Sequence, residues 1–177
     1  MVTVNAILVD DLEFNPPADF SNCTSPSVCV FHPDGGQALY QTAPTPLMDM
    51  GGDNGSGTWV ITANMEVQNM GTSGAASVNG NDVVAFLVGI RKDICESINR
   101  RLGLPYATLP QIANQAAGAD MITSYNSYYM DYDVVPAAEF YIIGSGGGDA
   151  SLAGEQAGCY YESQSGNYVY YSVVYPR

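Results

Sequence analysis

Few residues in this chain are of the types that carry chemistry. Its single histidine, His32, sits in "FHPDGG", directly before a proline and a turn. A Ser-His-acid set would have to use that residue, and no G-x-S-x-G elbow is present. A histidine in this setting reads as solvated or capping, so no enzymatic activity is expected. "GSGGGDASLAG" (144–154) is glycine-rich enough for a phosphate cradle, but it lacks the lysine of a P-loop and lies in an acidic chain. It reads as a flexible connection. "DMGGDNGSG" (49–57) gathers Asp49, Asp53 and Asn54, oxygen donors of the kind Ca²⁺ takes. The spacing departs from an EF-hand and the closing glutamate is missing, so a plain turn competes with the calcium reading, and no other metal or cofactor is expected.

The four cysteines allow three connectivities. Cys23 and Cys29 bracket "TSPSV", whose Pro26 favours a tight reversal, so they pair locally and leave Cys95 with Cys159. Zinc would need CxxC-like spacings or neighbouring histidines, and the chain has neither, so disulfides and an oxidising compartment are the expectation. Asn22 in "NCT" and Asn54 in "NGS" match the N-glycosylation pattern, which chance also supplies often.

With 18 acidic and 5 basic residues the formal net charge is -13, a field that repels phosphate backbones and anionic headgroups. Nucleic acid is excluded as an expected partner. Low charge content with abundant Gly, Ser, Asn, Thr and Tyr suits an exported protein. Yet "MVTVNAILVDDLEF" lacks the basic start and long apolar core of a signal peptide, and no stretch approaches a membrane span. Either the chain is cytoplasmic or a further segment precedes Met1.

The elements that must position these residues are read next. Residues 1–177 are expected to form one domain, with residues 1–20 the remnant of a longer N-terminal segment. Pro16 and Pro17 end any regular element in the apolar start. From Ser21 to Gly57 the chain is turn-rich, with "VCVF" and "QALY" as brief strands. "TWVITANMEV" alternates as a strand, with Trp59, Ile61, Ala63, Met65 and Val67 on one face. A helix is expected from about Asp82 to Leu102, N-capped by Asn81, kinked at Gly89 and closed by Gly103. Val83, Leu87, Ile90, Ile94, Ile98 and Leu102 form its apolar stripe. A helical turn near Ile112, strands in 124–135 and 139–144, and a closing hairpin "CYYE", "SQSG", "NYVYYSVVY" complete the reading. Aromatics on both faces of the last strand suggest a sheet covered on one side. The fold class is α+β: one long helix packed on an antiparallel β-sheet, with long decorated loops and disulfides.

Arg91, Lys92, Arg100 and Arg101 all fall on the expected helix, leaving only Arg177 elsewhere. Arg100 and Arg101 complement the C-terminal dipole. Arg91 and Lys92 have no such role, and they read as docking points for an acidic surface of a neighbouring copy.

Taken together, "CVFHPDGG" with "TWVITANMEVQNMGT", "DICESINRRLGL" and "AGCYYESQSGNYVYYSVVYPR" resemble bacterial type IV pilin-like and pseudopilin proteins, over much of the chain from about Cys29 onward. The family's leader motif does not occur in these residues. The resemblance implies a globular head of one helix and an antiparallel sheet, with Cys95 and Cys159 tying the two together. It implies no catalytic residue, and it implies a hydrophobic helix upstream that anchors the precursor in the inner membrane and later forms a filament core. The expected role is therefore a structural subunit, pilin or pseudopilin, of a periplasmic or extracellular filament. Its partners would be other such subunits, the membrane would be met only through the upstream helix, and the head alone would be monomeric. The alternative is a secreted adhesion module that recognises carbohydrate or a surface protein.

Overall fold

The computed structural model describes residues 12–51, 56–71, 82–112, 141–146, 148–163 and 166–176. Its strands are β1 (Trp59–Val67), β2 (Asp82–Val88), β3 (Gln111–Ile112), β4 (Tyr141–Ile143), β5 (Ala157–Glu162) and β6 (Asn167–Tyr175), with one helix, α1 (Lys92–Leu102), between β2 and β3. They form a single sheet in the order β3-β5-β6-β2-β1-β4. The four inner strands are antiparallel, whereas β4 joins β1 and β3 joins β5 in parallel. The sheet is thus mixed, not antiparallel throughout. Among the described residues the class is α+β, with one α-helix on the sheet and two disulfides, Cys23–Cys29 and Cys95–Cys159.

The expected helix over 82–102 is half strand. "DVVAFLV" is a continuous apolar run, buried at six of its seven positions, and its β-branched residues suit a strand covered on both faces. Its apolar residues satisfy a helical stripe equally well, which is why periodicity alone misassigned it. Gly89, at φ +77°, turns the chain where a kink was expected, and α1 starts only at Lys92. Gly103 ends it as anticipated, its amide donating to the carbonyls of Arg100 and Asn99.

Cross-strand rows define the two faces of the sheet. Trp59, Leu87, Tyr170 and Cys159 lie in register across β1, β2, β6 and β5, on the side where Cys95 and the half-buried Ile94 and Ile98 of α1 pack. Val60, Phe86, Tyr171 and Gly158 form the next row, on the opposite side. There Val60, Phe86 and Tyr171 join Val84, Tyr160, Val169 and Val173 in the larger core cluster, with Leu104, Ile143 and Leu152. The sheet is covered on both faces, not one. In β6 the buried positions alternate with half-buried ones as far as Val173, since α1 is too short to cover the second face completely. Gly158 leaves room for the Tyr171 ring; a Cβ there would lie 3.0 Å from both Leu152 Cδ2 and Tyr171 Cε1.

A register shift between Thr62 and Met65 alters the alternation expected for β1. An extra residue reverses which face later side chains meet. Val67 therefore shares the larger core cluster with Val60, instead of continuing the row of Trp59 and Ile61. Three smaller expectations also change. Residues 111–112 are strand, not a helical turn, and "QALY" forms no strand. "VCVF" contributes only a bridge between Cys29 and Glu13. The strand expected in 124–135 lies outside the described residues, while that in 139–144 is represented by β4.

Candidate interaction site on the helix

The helix is fixed to the sheet at Cys159 by two devices. Cys95 Sγ is bonded to Cys159 Sγ, and one turn later the side chain of Asn99 spans the backbone of the same cysteine. Asn99 Nδ2 donates to the Cys159 carbonyl at 2.8 Å, and the Cys159 amide donates to Asn99 Oδ1 at 2.8 Å. Nδ2 also donates to the Pro105 carbonyl at 2.8 Å, which secures the turn after the helix. The side chain substitutes for a neighbouring strand, because β3 pairs with β5 only at Tyr161 and Glu162. A buried β5 backbone at Cys159 would otherwise lack partners on that edge. Sequence reasoning missed Asn99. Its signal was a polar residue four positions after a disulfide cysteine, hence on the same helix face.

This clamp also reorders the stripe. Cys95 and Asn99 are the buried helix residues, and Ile94 and Ile98 lie on a flank that borders a cavity of about 360 Å³. The cavity is lined by no charged residue; Trp59, Leu87, Tyr170, Leu47 and Pro44 face those isoleucines. Trp59 and Tyr170 meet edge to face at 6.1 Å. Leu102, next in the stripe, is 47% exposed.

The four cations expected to make subunit contacts are brought to the two ends of α1. Arg91 is the N-cap residue and Lys92 the first helical one, so both sit at the positive end of the dipole, an unfavourable place for cations. Local acids offset this. Arg91 Nε and Nη2 donate to Asp93 at 3.0 and 2.7 Å, Nη1 donates to the Pro46 carbonyl at 3.2 Å, and Lys92 lies 3.7 Å from Glu96. The Arg91–Asp93 pair is exposed and the Lys92–Glu96 pair is exposed on the lysine side, so both are easily exchanged for others. An open depression of about 560 Å³ adjoins them, bounded by Met48, Asp49, Met50 and Tyr168. At the other end Arg100 stacks over Tyr106 at 4.6 Å, and Arg101 is exposed.

The remaining expected positions lie apart from this site. His32 Nδ1 accepts the Asp34 amide at 3.1 Å and its ring lies tilted against that of Phe20 at 4.9 Å, where a solvated or capping histidine was expected. Asp49 Oδ1 accepts the Gly51 amide in a local turn, while Asp53 and Asn54, the other two members of the calcium candidate, lie outside the described residues. In the glycine-rich loop the amides of Gly144 and Gly146 donate to the carboxylate of Asp149, each at 2.8 Å. The loop binds its own anion, and two of the donors a phosphate would need are taken. Behind it the Tyr171 hydroxyl donates to the Glu155 carbonyl at 3.1 Å. Burial first, and the charges of Glu155 and Asp149 after it, hold that hydroxyl above the usual tyrosine range.

No protein-family model matches the chain, and comparison with curated proteins and with solved structures gives no match. Among the described residues no helix is long and apolar enough to cross a membrane. The two disulfides suit an oxidising extracellular or periplasmic compartment.

Proposed function

We propose that this chain is the head of a filament subunit of the type IV pilin-like or pseudopilin kind, without enzymatic activity of its own. One observation carries the reading. The segments "TWVITANMEV", "DICESINRRL" and "AGCYYESQSGNYVYYSVVY", which bear the resemblance, converge on one unit in which Cys95 and Asn99 bind α1 to the sheet at Cys159. In a chain of net charge -13, the N-terminal end of α1 adds the helix dipole to Arg91 and Lys92, giving a site to which an acidic copy is drawn. The precursor is anchored in the inner membrane by a hydrophobic helix upstream of the head, and the assembled subunit is periplasmic or extracellular. That helical core concentrates neighbours, so contacts too weak to hold isolated heads together act along the polymer.

The test is assembly from the gene in its natural context, comparing the native chain with Arg91→Glu/Lys92→Glu. Each exposed contact is worth about 0–1 kcal/mol, but it repeats at every subunit. Filament yield should fall severalfold while the head's circular dichroism is unchanged; unchanged yield removes the charge-docking contact. A secreted adhesion module is the second reading, and the uncharged aromatic cavity beside Ile94 and Ile98 is what favours it. Glycan or surface-protein binding by isolated head, lost in Trp59→Ala, would select that reading.

A further inference from the structure

The Cys23–Cys29 loop closes over two polar side chains that the disulfide alone does not explain. Glu13 is held beside Cys29 by its backbone: its amide donates to the Val28 carbonyl at 2.9 Å and its carbonyl accepts from Val30 at 2.8 Å. The Glu13 carboxylate is almost wholly buried, and the Thr24 amide donates to its two oxygens at 3.2 and 2.9 Å. Its Oε2 lies 3.9 Å from Cys29 Sγ. Asn15, 0% exposed, points its amide group at both sulfurs, with Nδ2 3.4 Å from Cys23 Sγ and 3.7 Å from Cys29 Sγ. Its Oδ1 is buried and has no hydrogen-bond partner.

An amide donor facing sulfur gains little, because sulfur is a weak acceptor, and an unpartnered buried carbonyl oxygen is costly. The arrangement has a different logic once the sulfurs are thiolates. A tetrahedral zinc ion with Zn–S of about 2.3 Å and Zn–O of about 2.0 Å has S···O edges of roughly 3.5 Å and an S···S edge of roughly 3.8 Å. The three distances from side-chain polar atoms to sulfur, 3.4, 3.7 and 3.9 Å, are already of that size. Asparagine's terminal torsion is two-fold, so a half-turn exchanges the orphaned Oδ1 with Nδ2 and brings the oxygen to the sulfurs. Glu13, Cys23 and Cys29 are also the one group of three ionisable ligand types within 4.8 Å of one another among the described residues.

We propose that the reduced Cys23–Cys29 loop is a zinc site, with Glu13, Asn15, Cys23 and Cys29 as its four ligands. A thiol reductant, such as the thiol pool of a reducing compartment, supplies two electrons and two protons and is itself oxidised to a disulfide. The Cys23–Cys29 bond becomes two thiols. Zn²⁺ then displaces both thiol protons to solvent and is held by two thiolates, one carboxylate and one amide oxygen. The Thr24 amide, donating to both oxygens, holds the carboxylate in place. A disulfide oxidant reverses the sequence: it takes two electrons from the two thiolates and two protons from solvent to become a pair of thiols, the ion is released, and the Cys23–Cys29 bond closes the same loop. The segment is thus held shut by metal where the chain is made under reducing conditions, and by the disulfide where conditions are oxidising.

The test uses the full chain, reduced by a phosphine under anaerobic conditions and titrated with Co²⁺ and then Zn²⁺. One equivalent of Co²⁺ should give the intense visible bands of a tetrahedral ion and a thiolate charge-transfer band, both bleached by Zn²⁺. Glu13→Gln and Asn15→Ala should each weaken binding at least tenfold, Cys23→Ser should weaken the thiolate band, and Cys23→Ser/Cys29→Ser should abolish it. Mass-spectrometric alkylation then needs no variant to fold: Zn²⁺ should slow the labelling of Cys23 and Cys29 relative to the zinc-free reduced chain, while the labelling of the buried Cys95 and Cys159 is the same with and without Zn²⁺. A six-coordinate cobalt spectrum, unaltered affinity in both the Glu13 and Asn15 variants, or labelling of Cys23 and Cys29 that Zn²⁺ does not slow overturns the proposal.

Discussion

Replacing Asn99 by alanine removes one side chain and strands several backbone groups. Cys159 is wholly buried, and Asn99 partners both its amide and its carbonyl at 2.8 Å. Each buried polar group left without a partner costs about 1–3 kcal/mol, so Asn99→Ala should destabilise the fold by roughly 2–5 kcal/mol. For a chain of this size each kcal/mol lowers Tm by about 2–4 °C, a predicted fall of about 4–20 °C. The assay is urea unfolding with both disulfides intact, followed by circular dichroism and tyrosine fluorescence. Asn99→Asp tests the geometry further, since it keeps an acceptor for the Cys159 amide but sets a carboxylate against the Cys159 and Pro105 carbonyls; it should be at least as damaging as alanine. Repeating Asn99→Ala in a Cys95→Ala/Cys159→Ala background should give a non-additive loss, because both devices act at one residue. A change below about 0.5 kcal/mol for Asn99→Ala, within the range of ordinary surface substitutions, would refute the reasoning and leave the disulfide as the sole clamp.

Three further outcomes are expected. Counting loop entropy alone, losing Cys95–Cys159, which spans 64 residues, should cost roughly 4 kcal/mol, against roughly 2 for Cys23–Cys29, which spans 6; equal losses in the two serine double variants would contradict this. The folded chain holds the Tyr171 proton more tightly than the unfolded chain does, so its contribution to stability is complete below about pH 10 and is lost as pH rises above it. Tyr171→Phe should flatten that alkaline decline, and superimposable alkaline unfolding profiles for the two chains would count against the burial argument. His32→Ala should leave any biological role intact, whereas lost activity in a folded His32→Ala chain would revive an enzymatic reading.

What the sequence disclosed depended on how local each signal was. The hairpin of β5 and β6 was legible because its alternation and turn lie within one short stretch, and Gly103 marked the helix end by its own conformation. "DVVAFLV" misled because a run buried on both faces has no period by which a strand differs from a helix. The bulge in β1 was invisible, since it depends on how β1 and β2 meet and not on either sequence alone. The disulfide pairing followed from the spacing of Cys23 and Cys29. Asn99 and Asp149 did not follow, because each acts on backbone groups whose positions only the fold sets: Cys159, 60 residues away, in one case and a glycine loop in the other. Arg91 and Lys92 were recognised as unusual, but their place at the positive end of α1 appeared only once the helix proved to begin there.

Immunogold electron microscopy tests the central claim most directly, using antibody raised to the head and cells that express the natural gene. The filament account predicts gold along or at the tips of thin surface or periplasmic filaments, lost when the gene is deleted. Gold spread over the cell surface, or antigen recovered only as soluble monomer with no labelled filament, would contradict it.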